Sequence, residues 1–108
     1  MLEEVNTTKF KKDSKKLRKQ NKDASKLSAV IEKLKNEQSL EEKYKDHSLQ
    51  GEYEGSRECH IEPDWLLVHR MDKSESKLYL LRTGSHSILF KESYHSIIRE
   101  LNEKILCD

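Results

Sequence analysis

Two apolar runs near the middle of the chain, Trp65-Leu66-Leu67-Val68 and Leu78-Tyr79-Leu80-Leu81, constrain the fold more than any other feature. Such runs need a core to hide in. They exclude disorder for the middle of a chain that is only 33% hydrophobic and 38% charged. Turn formers punctuate them. Glu62-Pro63-Asp64 reads as a tight turn, with Pro63 preset for its first corner. Asp72 to Ser76 reads as a polar hairpin loop. Strands are therefore predicted over Arg57 to Ile61, Trp65 to Arg70 and Lys77 to Arg82. The continuous apolar run of the middle strand predicts burial on both of its faces. Thr83-Gly84-Ser85 breaks the third strand, and Ile88-Leu89-Phe90 is expected to add a short last one.

The residues upstream are helical in pattern. Glu3 to Thr8 is β-branched enough for a short first strand, and Thr7 or Thr8 can cap the helix that begins there. Phe10, Ser14 and Leu17 recur at helical spacing. After a polar break at Gln20 to Asp23, Leu27, Val30, Ile31 and Leu34 form a second stripe, with Asp23 as its cap. The two helices are read as an antiparallel pair. Glu37 to Gly55 lacks periodicity and reads as a long surface loop, a length often tied to function. At the far end, Ile97, Ile98, Leu101 and Ile105 fall in helical register. The fold class is α+β in the order β-α-α-β-β-β, two helices on an antiparallel sheet, plus a C-terminal helix. Residues 1–90 form the domain and 91–108 an extension.

Charge is distributed unevenly. Between Lys9 and Lys35, eleven cations face Asp13, Asp23 and Glu32, a local balance of +8 in a chain of net +1. The choice lies between a face for a polyanion such as RNA and an ordinary solvated helix pair. Lys11, Lys12, Lys15, Lys16 and Lys19 are the candidate phosphate contacts. No apolar leader follows the start and no run reaches membrane length. Cys59 and Cys107 form no CxxC pair, so a reduced, cytoplasmic protein is expected.

The chemistry-bearing residues cluster at predicted strand ends. His60 and Asp64 flank the Pro63 turn. Arg82 and His86 flank the break at Gly84, and His47 lies on the loop leading into the sheet. Histidine titrates near neutrality, so this set suits proton transfer. Cleaving RNA needs a base for the 2′-hydroxyl, an acid for the leaving 5′-oxygen and a cation for the phosphate. Trp65 and Phe90 are candidates to stack a base or to sit in the core. Arg57 is either a phosphate clamp or a surface ion-pair partner. His69 and His95 are read as ordinary structural or surface histidines. Zinc on His47, His60, His86 and Cys59 is disfavoured, since they lack compact ligand spacing. No metal and no cofactor is expected. Cys59 and His60 are neighbours on a strand and should face opposite ways, which argues against a Cys–His dyad.

At these residues the sequence resembles YafQ-type toxins of the RelE superfamily, from bacterial type II toxin–antitoxin systems. The matching segments are YKDHSLQGEYEGSRECHIEPDWLLVHR and LYLLRTGSHSILF, together with Phe10-Lys11-Lys12-Asp13. The resemblance implies a microbial RNase (RelE-like) fold and ribosome-dependent cleavage of mRNA. It also implies neutralisation by a cognate antitoxin, with a toxin–antitoxin heterotetramer as one assembly. His86 corresponds to the general acid and Asp64 or His60 to the base. His47 would orient substrate or share the proton relay, Arg82 would hold the scissile phosphate and Phe90 would stack a base. Non-nuclease members of the superfamily, which bind gyrase or only an antitoxin, are the alternative. Ser48 stands where proline is usual, and the chain runs past the usual end near Phe90.

Overall fold

The computed structural model describes residues 1–49 and 54–91, apart from the side chains of Ile88, Phe90 and Lys91. The expected tail helix, with His95 and Cys107, lies outside the described residues, as do Gly51 and the Phe90 ring.

The chain opens with β1 (Glu3–Asn6), followed by α1 (Thr8–Lys19). Thr7 caps α1 as anticipated: its Oγ1 accepts from the Phe10 amide at 3.2 Å. The same hydroxyl donates to the carbonyls of Leu80 and Leu81, which ties the helix start to the last strand. Asp23 caps α2 (Ala24–Lys35) by accepting from the Ser25 amide at 3.0 Å. Asn21, at φ 60, makes the reversal between the helices, a left-handed conformation that asparagine tolerates. Phe10 and Leu17 of α1 and Leu27, Val30, Ile31 and Leu34 of α2 are buried, as their spacing requires.

The long loop carries more structure than expected. It contains a 3₁₀ turn at Glu42–Tyr44 and a two-residue strand, β2 (His47–Ser48). Then come β3 (Arg57–Glu62), β4 (Trp65–Asp72) and β5 (Lys77–Gly84), each matching a predicted strand and extending it slightly. The five strands lie in the order β1-β5-β4-β3-β2. The sheet is mixed rather than antiparallel, because β1 runs parallel to β5. Tight turns force β3, β4 and β5 to alternate in direction. No such turn links β1 to β5, so local sequence does not dictate its sense.

A second correction concerns residues 86–91. They form a helix, α3 (His86–Lys91), not a strand. The Leu89 amide bonds the Ser85 carbonyl at 3.0 Å, the i to i−4 helical bond. A three-residue apolar run does not distinguish the two states.

Each face of the sheet buries its own cluster. Cys59, Trp65, Leu67, Leu78 and Leu80 pack beneath α1 and α2. Leu66, Val68, Tyr79 and Leu81 pack with Leu89 of α3 on the other side. The two-sided burial anticipated for β4 is therefore present: Trp65 to Val68 are all at most 1% exposed. Against β4, Val68 pairs with Arg82 and His69 with Leu80, so β5 carries an extra residue, Leu81. Such a bulge redirects side chains at a strand end.

Candidate active site

Three elements, β2, β3 and α3, converge with the Pro63 turn at the end of the sheet where α3 begins. β3 supplies Glu58 and His60, two residues apart and therefore on one face. β2 lays His47 opposite Glu58 in the ladder. The Pro63 turn supplies Asp64, and α3 supplies His86 at its first position. The His47 Nε2 stands 3.6 Å from Glu58 Oε1. The rings of His60 and His86 lie 5.7 Å apart, tilted by 50°. His86 Nδ1 lies 3.1 Å from Asp64 Oδ1, and the same oxygen accepts from the His86 amide at 3.2 Å. His60 Nδ1 is 3.3 Å from the Pro63 carbonyl. The four catalytic candidates named from sequence thus form one constellation, although 39 positions separate the first from the last.

Electrostatics separates their roles. The His86 hydrogen bond, reinforced by the His86 amide, holds the Asp64 carboxyl below its ordinary value of 3.8. Asp64 is thus an anion across the neutral range, a weak base but a good orienter of His86. With Nδ1 facing a carboxylate, proton exchange at His86 runs through Nε2.

Glu58 was missed from sequence. Its side chain is buried, and Oε2 has no hydrogen-bond partner. The available signal was its position two residues before His60 on a strand. Glu58, His60 and His86 each offer a ligand atom within 4.8 Å of the others. Two imidazoles and a carboxylate with one unpartnered buried oxygen suit a divalent transition ion. Cys59 does not join them. It faces the helix side, as strand alternation required, and burial pushes its thiol up to about 12.

The substrate-binding candidates fare differently. Arg82 is 2% exposed and directs Nε and Nη2 to the Asp13 carboxylate at 2.6 and 3.0 Å. Trp65 is 1% exposed and donates from Nε1 to Thr83 Oγ1 at 2.9 Å. Both belong to the interior: the bulge beside Arg82 and the apolar cluster around Trp65 leave neither on the surface. Arg57 is half-exposed and binds Asp46 through Nε at 3.1 Å. Lys11, Lys12, Lys15, Lys16 and Lys19 are all exposed on α1. Sequence reasoning also overlooked Lys26, Lys43 and Lys45, which line an open cleft of about 590 Å³ with His60 and Tyr44. Their distance from His60 along the chain hides this grouping.

Known proteins share this fold. A model of the family described as bacterial toxin of type II toxin–antitoxin system, YafQ, matches residues 2–91. The mRNA interferase toxin YafQ of Escherichia coli K12 is 40% identical over 82 residues, covering 75% of this chain and 87% of that protein. A metal-bound toxin from Helicobacter pylori superposes with a TM-score of 0.80 at 48% identity, over 83% of this chain and 100% of that one. YafQ in the E. coli DinJ–YafQ complex superposes with a TM-score of 0.76 at 36% identity, over 83% of this chain and 99% of that one. With its fold and nearly the whole length of these relatives in common, the chain belongs to the YafQ family of bacterial type II toxins.

Proposed function

We propose that the protein is an endoribonuclease toxin that cleaves mRNA on the ribosome by acid–base catalysis and is neutralised by a cognate antitoxin. The observation that carries this reading is the juxtaposition of His60 and His86, 5.7 Å apart by ring centroid, with Asp64 orienting the second. The relatives named mRNA interferase support the substrate class, and the DinJ–YafQ complex supports an antitoxin partner. A heterotetramer is the assembly we favour. Among the described residues no helix is long and apolar enough to cross a membrane, and we place the protein in the cytoplasm. Residues 1–90 would be the toxin domain and 91–108 an extension of it.

His60, backed by Glu58 and His47, takes the proton from the 2′-hydroxyl, which attacks the adjacent phosphorus. His86, as imidazolium, gives a proton from Nε2 to the leaving 5′-oxygen. Asp64 holds that ring and stabilises its charge. Lys45, with Lys43 paired to Glu41 and Lys26 paired to Glu62, lines the cleft beside His60 as the candidate RNA path, and Phe90 remains the candidate to stack a base. Lys11 to Lys19 face rRNA phosphates, so binding weakens steeply with salt. An ion held by Glu58, His60 and His86 would supply Lewis-acid polarisation of a phosphate oxygen. Proton transfer from the 2′-hydroxyl to His60 and from His86 to the 5′-oxygen needs none, and cleavage should persist in a chelator.

The test is mapping of mRNA 5′ ends after brief expression, wild type against His86→Ala. Cuts in translated frames should fall by ~10²–10⁴ in the variant. Growth arrest with no cuts in either would replace this reading with a non-nuclease toxin or an interaction module.

A further inference from the structure

His47 occupies a precarious place. The chain lies on the helix side of the sheet at Leu40 and Tyr44, which pack against the cluster beneath α2. By Leu49 it has crossed to the other side, where that side chain packs with Leu66, Val68 and Leu89. Asp46 and His47 are the residues at which it rounds the edge of β3. Among the described residues, two ladder positions, His47 opposite Glu58 and Ser48 opposite Arg57, and the bond from the Leu49 amide to the Ser56 carbonyl at 2.8 Å hold β2 at the edge. A two-residue edge strand is too short to fix a side chain by itself.

Asp46 supplies what β2 lacks. Its Oδ1 accepts from Arg57 Nε at 3.1 Å and lies 3.7 Å from His69 Nε2. His69 is 1% exposed, and neither ring nitrogen has a hydrogen bond within normal length. A buried imidazole in that state is destabilising unless a polar group satisfies it. The Asp46 carboxylate stands where it can. Its carboxyl is held below the ordinary value, first by His69 and then by Arg57, against the opposing effect of burial. Beyond Asp46, Lys45 adopts a left-handed conformation at φ 48, and its carbonyl meets His47 Nδ1 at 2.8 Å. That bond turns His47 Nε2 toward Glu58.

We propose that Asp46, bonded to Arg57 and facing the buried His69, is a positioning residue that anchors the chain at the sheet edge and aims His47 into the active site. Arg57 is then a strut for the site rather than a phosphate clamp, and His69 is its buried footing. The assignment depends on His47 taking part in the cleavage proposed above.

The test compares wild type with Asp46→Ala, Asp46→Asn and Arg57→Ala by ¹H–¹⁵N correlation of the imidazole nitrogens, alongside ribosome-dependent cleavage. In Asp46→Ala the His47 ring signals should move while those of His86 stay. The turnover rate should fall by up to roughly 100-fold, the loss a displaced group causes, with little change in KM. Asp46→Asn keeps an oxygen for Arg57 Nε and should recover most of both. Arg57→Ala should follow Asp46→Ala, and it keeps the test usable where that variant folds poorly. Unmoved His47 signals in Asp46→Ala and Arg57→Ala would overturn the proposal whatever the activity. Moved signals with unchanged cleavage would uphold the positioning and instead remove His47 from the chemistry.

Discussion

Asp13 and Arg82 meet at 2.6 Å with 5% and 2% of their side chains exposed, whereas Asp64 and His86 meet at 3.1 Å with 74% and 44% exposed. Both pairs tie the end of β5 and the start of α3 to an element far away in sequence. The first joins β5 to α1, and its carboxylate also accepts from the Thr83 amide at 3.2 Å. Three charge-assisted bonds in a dry interior leave that carboxylate no role except to hold α1 on the sheet. The second pair stands in water. Solvent screens it, so it adds little to stability, but a proton can reach and leave His86. An acid beside a cation is scaffold in one place and site in the other, and access to water makes the difference.

Breaking the dry pair should give the largest effect. Arg82→Ala leaves a buried carboxylate uncompensated and should cost about 3–5 kcal/mol of stability. In a chain of this size that lowers the melting midpoint by roughly 4–8 °C for each kcal/mol. Replacing both partners, as in Asp13→Leu with Arg82→Met, should restore much of the loss, because no unpaired charge remains. Asp64→Asn should leave the midpoint within error. Thermal or urea unfolding decides the matter. An Arg82→Ala variant that melts like wild type yet fails to cleave RNA would return Arg82 to the phosphate.

The contrast shows where sequence reasoning reaches its limit. The β3-β4-β5 meander was legible because turn residues bracket apolar runs, and so were both helix caps. The placement of His60, Asp64 and His86 beside turns at strand ends was legible too, whereas His47, read as lying on a loop, sits on β2. Arg82 stands in the same motif as His86, but the extra residue at Leu81 carries its guanidinium to Asp13, and pairing register cannot be read from residue types. Trp65 opens an apolar run, and nothing local says whether its ring faces core or solvent. The parallel seat of β1 depends on a partner more than 70 positions away. β2, two residues long, carries no periodicity at all.

Asp64→Asn sharpens the comparison from the wet side, with a smaller effect. Asparagine keeps an oxygen for the His86 amide but loses the charge that favours imidazolium. Cleavage should fall by on the order of 10- to 100-fold, less than the ~10²–10⁴ expected for removing a proton-transfer group outright. The pH profile tells more. Because His86 holds the Asp64 carboxyl below 3.8, the pairing is fully present above that value and is lost only as pH falls through the depressed one. A decline in rate between about pH 5 and 7 therefore belongs to the histidines, and Asp64→Asn should retain that acidic limb. Its disappearance would make Asp64, not His60, the base.

The smallest effect comes from two neighbours on β3 that face opposite ways. Cys59 is fully buried among the residues under the helices, and His60 opens onto the lysine-lined cleft. In a Cys107→Ser background, thiol reagents at about pH 8 should leave native Cys59 untouched and label it at once in denaturant, because burial pushes its thiol up to about 12. Diethyl pyrocarbonate should modify His60 in the folded protein under the same conditions. A thiol whose pKa is raised by folding contributes its stabilisation fully below the unfolded value near 9.0, and that contribution is lost as pH rises beyond it. Cys59→Ala should therefore flatten the alkaline loss of stability at some cost in packing. Rapid labelling of native Cys59 would mean that the sheet opens on the helix side, and the division between a dry face and a wet one would fail there first.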